Sequence, residues 1–109
     1  TITILRNQII KGLLKVKNLK NVLIAYEPVW SIGTGVIPTN YEVEKNVKSI
    51  KKLLNRNHKI KNPKVLYGGS VNTKNAKNLS RIKNIDGFLI GGSSQNAKNF
   101  IDIVKKTII

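Results

Sequence analysis

The chain has 109 residues, of which 40% are hydrophobic, and its 20 Lys and Arg against 5 Asp and Glu give a net charge of +15. This length predicts one compact unit, and the composition excludes a disordered chain and a membrane span. The lack of cysteine excludes disulfides and cysteine-ligated zinc; because no signal-peptide pattern opens the sequence, we expect a soluble, cytoplasmic protein.

The chain opens with an amphipathic pattern from Thr1 to about Lys17, which predicts a helix. Its apolar face comprises Ile2, Leu5, Ile9, Leu13 and Val16. The apolar run Val22–Tyr26 follows and is typical of a strand covered on both faces, as parallel strands are. The first unit is therefore a helix and then a strand.

A second helix is predicted after Thr39 and Glu42, whose spacing fits a capping box. It should end near Asn55. Its buried face is predicted to comprise Val43, Val47, Ile50 and Leu54, and its water-facing side Lys45, Lys48, Lys51 and Lys52. A polar connector that contains His58 should then lead to the next strand.

The same alternation continues to the end of the sequence. Lys64–Tyr67 reads as a strand that ends at Gly68-Gly69, and a short helix should open at Ser70 to Thr73 and run through Ala76 and Leu79. Gly87–Ile90 reads as a third strand, which ends at Gly91-Gly92. A last helix is predicted to bury Phe100, Ile101, Val104 and Ile108.

Three strands with helices between them predict an α/β fold with a parallel sheet and about four helices. Three strands cannot close a barrel, and an open sheet of this size would leave an apolar face and two edges in water. We therefore expect residues 1–109 to be part of a larger fold.

Polar and glycine residues follow all three predicted strands, where parallel α/β sheets bind ligands. Glu27 follows the first strand, and Gly-Gly-Ser follows each of the other two. Glycine turns let backbone amides approach an oxyanion, so a phosphate cradle is favoured over two unrelated strand ends. Glu27 can be a capping carboxylate, a metal ligand or a base, and a metal is disfavoured because no second acid or histidine follows another strand.

The loop after Glu27 has the layout of a lid that closes as a unit. Its entry is stiff at Pro28 and apolar at Trp30, and Gly33 and Gly35 offer flexible points inside it. A base that removes a proton beside a carbonyl needs such a lid, because water must be kept from the intermediate.

The positive charge does not by itself indicate nucleic-acid binding. The bases are mostly Lys spread along the chain, without aromatic residues interleaved as stacking platforms. We expect no dedicated nucleic-acid partner and no membrane partner. His58 is expected to be a solvated loop residue on the opposite side of the sheet from the strand ends, without a catalytic role.

The segments "IAYEPVWSIGTG", "VLYGGSV" and "DGFLIGGSS" closely resemble the triosephosphate isomerase family in order and separation. The resemblance implies that residues 1–109 are the C-terminal portion of a (β/α)8 barrel, with its last three β/α units preceded by one helix. It also implies an isomerase of glycolysis and gluconeogenesis that interconverts dihydroxyacetone phosphate and glyceraldehyde 3-phosphate, without a cofactor or metal, as a homodimer when complete.

The resemblance gives each matching residue a role. Glu27 matches the catalytic base, and Tyr67 matches the tyrosine that contacts the lid. The substrate-binding residues implied are Gly33, Ser70, Gly91 and Gly92. The lid residues implied are Pro28, Val29, Trp30, Ser31, Ile32, Gly33, Thr34 and Gly35.

Two positions depart from the family pattern, and part of the site has no match. Ser31 stands where the family most often has Ala. Pro38 stands where a backbone amide meets the hydroxyl that matches Tyr67, so closure should rest more on Ser70. The family's electrophilic histidine, its lysine and its asparagine come from the first half of the barrel, so residues 1–109 alone should be inactive. The alternatives are a phosphate-binding half-barrel that self-associates and another phosphate-binding barrel enzyme.

Overall fold

The computed structural model describes residues 2–28 and 38–108 as one sheet covered by helices on one face. The strands are β1 (Ile24–Tyr26), β2 (Val65–Tyr67) and β3 (Gly87–Phe88), which pair in parallel in the order β1-β2-β3. The helices are α1 (Ile2–Leu13), α2 (Asn40–His58), α3 (Ala76–Leu79) and α4 (Ala97–Ile108), with a 3₁₀ helix at Gly92–Gln95. The predicted α/β alternation, a partial (β/α)8 barrel, is confirmed.

The helix α2 supplies most of the core that supports the sheet. Thr39 Oγ1 accepts a hydrogen bond from the Glu42 amide at 3.2 Å, as a capping box requires. The predicted buried face is confirmed, since Val43, Val47, Ile50 and Leu54 are each at most 2% exposed. The helix runs on to His58 rather than ending near Asn55, and Lys59 caps it in the left-handed region with φ 53°.

The histidine is therefore not in a connector, as the sequence predicted, but in the last helical turn. His58 is half-buried, and its Nδ1 is enclosed without a hydrogen-bond partner in the parts of the chain that the structure describes. The connector is shorter than predicted because the helical hydrogen bonds continue until Lys59, whose amide donates to the Leu54 carbonyl.

The expectation that β1 is covered on both faces is wrong. Tyr26 is buried, whereas Ala25 is exposed and Leu23 is 60% exposed. On the same open face, Leu89 beyond β3 is 56% exposed. Helices cover the other face of the sheet, so the predicted apolar face in water is confirmed for the described residues.

The first and last helices differ from their predicted outlines. In α1, Ile9 and Leu13 join the core, but the helix ends at Leu13, so Val16 lies beyond it and is 41% exposed. In α4 the predicted face is wrong: Ile103 is fully buried, and the predicted core residues Phe100, Ile101 and Ile108 are 40%, 52% and 77% exposed. The fourth predicted residue, Val104, is half-buried.

The α4 sequence itself explains the error. Its apolar residues form a single face with Ile103 at one edge, so periodicity gives the face but not the part of it that packs deepest. The helix packs against α3, and this contact selects the side that carries Ile103. Within the described ranges, no helix is both long enough and apolar enough to cross a membrane.

Candidate active site

The carboxyl ends of the three strands lie side by side at one edge of the sheet. Tyr26 is in register with Tyr67, and Tyr67 with Phe88. The ladder continues one residue further, since the Gly68 amide donates to the Tyr26 carbonyl at 2.8 Å and the Leu89 amide to the Tyr67 carbonyl at 2.9 Å. The loops after all three strands therefore start from the same edge.

Glu27 lies at this edge, next to Gly68. Its Cβ is 3.8 Å from the point at which a side chain would begin on Gly68, and it is exposed on the open face of the sheet. It takes part in none of the ion pairs between described residues. A carboxylate in this position is available to a bound molecule, because neither a cap nor a salt bridge of the described residues engages it.

The predicted lid lies mostly outside the described residues. This holds for Val29, Trp30, Ser31, Ile32, Gly33, Thr34 and Gly35. The two residues that flank the segment, Pro28 and Pro38, are both buried. The described residues on either side of the segment are therefore shielded from solvent.

The last residues of β1 and β2, Tyr26 and Tyr67, are both buried. Tyr26 is 5% exposed, and its hydroxyl accepts a hydrogen bond from Asn46 Nδ2 at 2.9 Å. Burial raises the pKa of Tyr26, the bond from Asn46 opposes this, and the charge of Glu42 adds to the increase. Burial, and then the neighbouring Tyr26, raise the pKa of Tyr67. Both hydroxyls are therefore neutral at ordinary pH and can act as donors.

The glycine at position 69 is required by Tyr67. A Cβ on Gly69 would overlap the hydroxyl and ring of Tyr67, which is only 1% exposed and cannot move aside. The residue after this close approach, Ser70, is exposed. Within residues 2–28 and 38–108, the Ser70 hydroxyl makes no hydrogen bond, so it can bind a ligand.

A hydrogen-bonded cap, which the sequence reasoning missed, shapes the loop after Ser70. Asn75 Nδ2 donates to the Ser70 carbonyl at 2.8 Å, and Asn75 Oδ1 accepts from the Asn72 amide at 2.8 Å. From α4, Lys106 Nζ donates to the Thr73 carbonyl at 2.8 Å. The signal in the sequence was the "NTKN" spacing, which is that of a capping box with Asn in place of Glu.

The third loop, at Gly91 and Gly92, is open to solvent. Both glycines are exposed, and a Cβ on either would meet no atom of the described residues within 4 Å. The amide and the hydroxyl of Ser94 both donate to the Gly91 carbonyl, at 2.9 Å and 2.6 Å, which closes the turn. Packing among the described residues does not require glycine at these two positions, and a backbone without side chains leaves room for an approaching ligand.

The described residues offer no cluster of three or more acidic, histidine or cysteine ligands that could hold a metal ion. His58 is the last residue of α2, whereas Asn40, the first, lies two residues after Pro38. His58 is therefore at the opposite end of α2 from the predicted lid.

Comparison with known proteins decides the family. The family model described as triosephosphate isomerase matches residues 1–107. The chain belongs to the triosephosphate isomerase family. Its resemblance, first seen in three short segments, thus extends over nearly all of the sequence.

Individual triosephosphate isomerases are similar throughout this sequence. The Neurospora crassa protein is 40% identical over 111 residues, which cover 99% of this chain and 44% of that protein. The Malacoplasma penetrans protein is 43% identical over 91% of this chain and 42% of its own length. The Geotalea uraniireducens protein is 44% identical over 96% of this chain and 44% of its own length. The chain therefore spans less than half the length of the curated relatives it matches.

Proposed function

We propose that these residues are the C-terminal portion of a triosephosphate isomerase that interconverts dihydroxyacetone phosphate and glyceraldehyde 3-phosphate in glycolysis and gluconeogenesis. Family membership supports the reaction class, since each of the three relatives described above bears that name. One observation supports the site: Glu27, Ser70 and the Gly91-Gly92 turn all follow strands that end at the same edge of the sheet.

In this proposal Glu27 removes a proton from the carbon next to the substrate carbonyl. The electron pair of that C–H bond forms the C=C bond of the enediolate, and the carbonyl electron pair moves to its oxygen. Glu27 then returns the proton to the former carbonyl carbon, while the proton of the adjacent hydroxyl moves to the other oxygen as that hydroxyl becomes the new carbonyl. Ser70 and the backbone amides at Gly33, Gly91 and Gly92 hold the phosphate, and the segment from Pro28 to Gly35 closes over the intermediate. Triosephosphate isomerase is an established example of an enzyme that uses a glutamate base and a closing loop.

The net charge of +15 suits this anionic substrate, because a positive protein attracts small anions over long range. The electrophilic histidine and the lysine and asparagine of the family would come from residues outside this sequence. We accordingly propose a homodimer in the cytoplasm for the complete enzyme, and no activity for residues 1–109 alone. A missing oxyanion donor costs about 10²- to 10³-fold in rate.

The test is Glu27→Gln in the complete protein that contains this sequence. The side chain keeps its size and loses its ability to accept the proton, so kcat for isomerisation should fall by about 10²- to 10⁴-fold. Glu44→Gln on α2 is the matched control and should leave kcat unchanged. An unmodified protein that does not isomerise triose phosphates, or a Glu27→Gln variant as active as its parent, would contradict the proposal.

The open apolar face favours a second candidate, a half-barrel that binds phosphate and self-associates. Leu23 and Leu89 are more than half exposed on that face, and a second copy could cover them. Sedimentation of residues 1–109 separates the two ideas. A discrete, folded oligomer that binds inorganic phosphate supports the module, whereas a loosely folded, aggregating chain supports a piece of a larger barrel.

A further inference from the structure

The turn that leads into α3 is a reciprocal capping box built from two asparagines. Asn72 Oδ1 accepts hydrogen bonds from the amides of Lys74 at 2.9 Å and Asn75 at 3.0 Å. In return, the Asn72 amide donates to Asn75 Oδ1 at 2.8 Å. Both members of the box are amides, whereas a common box has Glu or Gln at the second position.

The amide nitrogen of Asn75 makes a further bond that a carboxylate could not make. Nδ2 donates to the Ser70 carbonyl at 2.8 Å, five residues earlier in the chain. A glutamate or aspartate has oxygens at both positions and offers no donor when ionised. One side chain therefore links the helix cap to the loop that carries Ser70.

This bond fixes the part of the loop that has few other restraints. Ser70 is exposed and follows Gly68-Gly69, whereas Val71 on its other side is buried at 6% exposure. With Val71 packed in the core, the bond from Asn75 to the Ser70 carbonyl sets the orientation of the peptide between Ser70 and Val71. The direction of the Ser70 hydroxyl depends on that orientation.

The cap is itself attached to α4. Lys106 Nζ donates to the Thr73 carbonyl at 2.8 Å and lies 2.8 Å from Asp102 Oδ2. The box therefore cannot shift without a rearrangement of the contact with α4, which makes it a firm support for the loop.

We propose that Asn75 is a positioning residue, whose amide nitrogen holds the Ser70 carbonyl so that the Ser70 hydroxyl points at the substrate phosphate. This inference rests on the proposed function, in which Ser70 contacts the phosphate. In this proposal Asn75 acts on the phosphate through Ser70 and does not bind the substrate itself.

The experiment compares Asn75→Ala with Asn72→Ala in the complete protein. Both remove an asparagine of the same box, but only Asn75→Ala removes the bond to Ser70; Asn72→Ala removes two cap bonds and keeps it. With Asn75→Ala, KM and the inhibition constant of inorganic phosphate should rise about fivefold, as expected for one lost hydrogen bond, and kcat should change less. Asn72→Ala should lower thermal stability while both constants stay within about twofold of the parent.

Two further variants keep the test decisive. Asn55→Ala is a second control. It removes the hydrogen bond that Asn55 Nδ2 donates to the Ile60 carbonyl, which is also five residues away in the sequence. Asn55 lies near the C-terminal end of α2, so this variant should change neither constant. If Asn75→Ala does not fold, Asn75→Asp retains the acceptor for Asn72 and lacks the donor to Ser70. Its weaker phosphate binding should persist at high salt, which screens the added charge.

Equal effects of Asn75→Ala and Asn72→Ala on phosphate binding, or no effect of either, would overturn the inference. Binding of inorganic phosphate is followed by ³¹P NMR as well as by inhibition, so this readout does not require turnover. Failure of the proposed function would give a different result. In that case Glu27→Gln would leave the activity of the complete protein unchanged.

Discussion

Lys51 and Asp86 form an ion pair that ties α2 to the start of β3. Lys51 Nζ lies 2.9 Å from Asp86 Oδ2, and the same oxygen accepts a hydrogen bond from the Val65 amide at 2.8 Å. The Asp86 side chain is 24% exposed. Lys51 was predicted to lie in water. Its side chain instead pairs with Asp86, just before β3, and is 23% exposed.

Asp86→Ala should destabilise the complete protein by about 1 to 3 kcal/mol, because it leaves the amide of the fully buried Val65 without its acceptor. Asp102→Ala is the matched control. Asp102 also pairs with a lysine, but it is 42% exposed, and its loss should cost at most about 0.5 kcal/mol. Urea unfolding of both variants measures the difference, and equal losses would contradict this role of Asp86.

The same pair predicts a pH dependence of stability. Burial raises the pKa of Asp86, but hydrogen bonds from Lys51 and Val65 and the charges of Lys51 and Lys64 outweigh it, so the pKa lies below its ordinary value. The unfolded chain therefore binds this proton more tightly, and stability increases with pH in this range. The contribution should be complete above about pH 5 and be lost as the pH falls through the lowered pKa. Asp86→Asn should flatten this part of the curve, and an unchanged slope would argue against it.

Gly69→Ala should destabilise the protein by about 1 to 3 kcal/mol, because the new methyl group would overlap Tyr67 in a closely packed site. Gly91→Ala is the control, since a Cβ there meets no atom within 4 Å in the described part of the chain, and its stability should stay within about 0.5 kcal/mol of the parent. Both substitutions restrict the unfolded chain alike, so their difference in thermal unfolding isolates the overlap. Similar midpoints for the two variants would refute this explanation of Gly69.

We expect no hydrogen bond from the backbone at Pro38 to the Tyr67 hydroxyl when the lid closes, since proline has no amide hydrogen. This prediction also rests on the proposed function. Pro38→Ala restores the donor, so Tyr67→Phe should lower kcat/KM about fivefold more in the Pro38→Ala background than in the parent. A double-mutant cycle measures that coupling. Additive effects of the two changes would mean that the restored amide does not meet the tyrosine.

Much of the fold could be predicted from local pattern. The core face of α2 was predicted at all four positions because its apolar residues form a single narrow stripe. The second strand was found to within one residue, since Gly68-Gly69 marks its end. The buried side of α4 could not be predicted, because Ile103 lies at the edge of the apolar face and only the contact with α3 selects it.

The candidate site divides in the same way. Glu27 and the glycine turns were visible in the sequence because each follows an apolar strand. Their common edge could be expected from parallel pairing, and the register of Tyr26 with Tyr67 supports it. The bond from Asn75 to Ser70 was not anticipated, because an Asn-x-x-Asn spacing has many uses in turns and only the folded loop selects one.

The sequence by itself determined the order of helices and strands, the positions of the turns and the family, since these depend on local periodicity, on glycine and proline, and on residue identity. The tertiary structure alone decided which faces of β1 and α4 meet solvent, where Lys51 finds its partner and what holds Ser70. The physical reason is that burial and pairing depend on neighbours that are distant in the chain, and a local pattern carries no information about them.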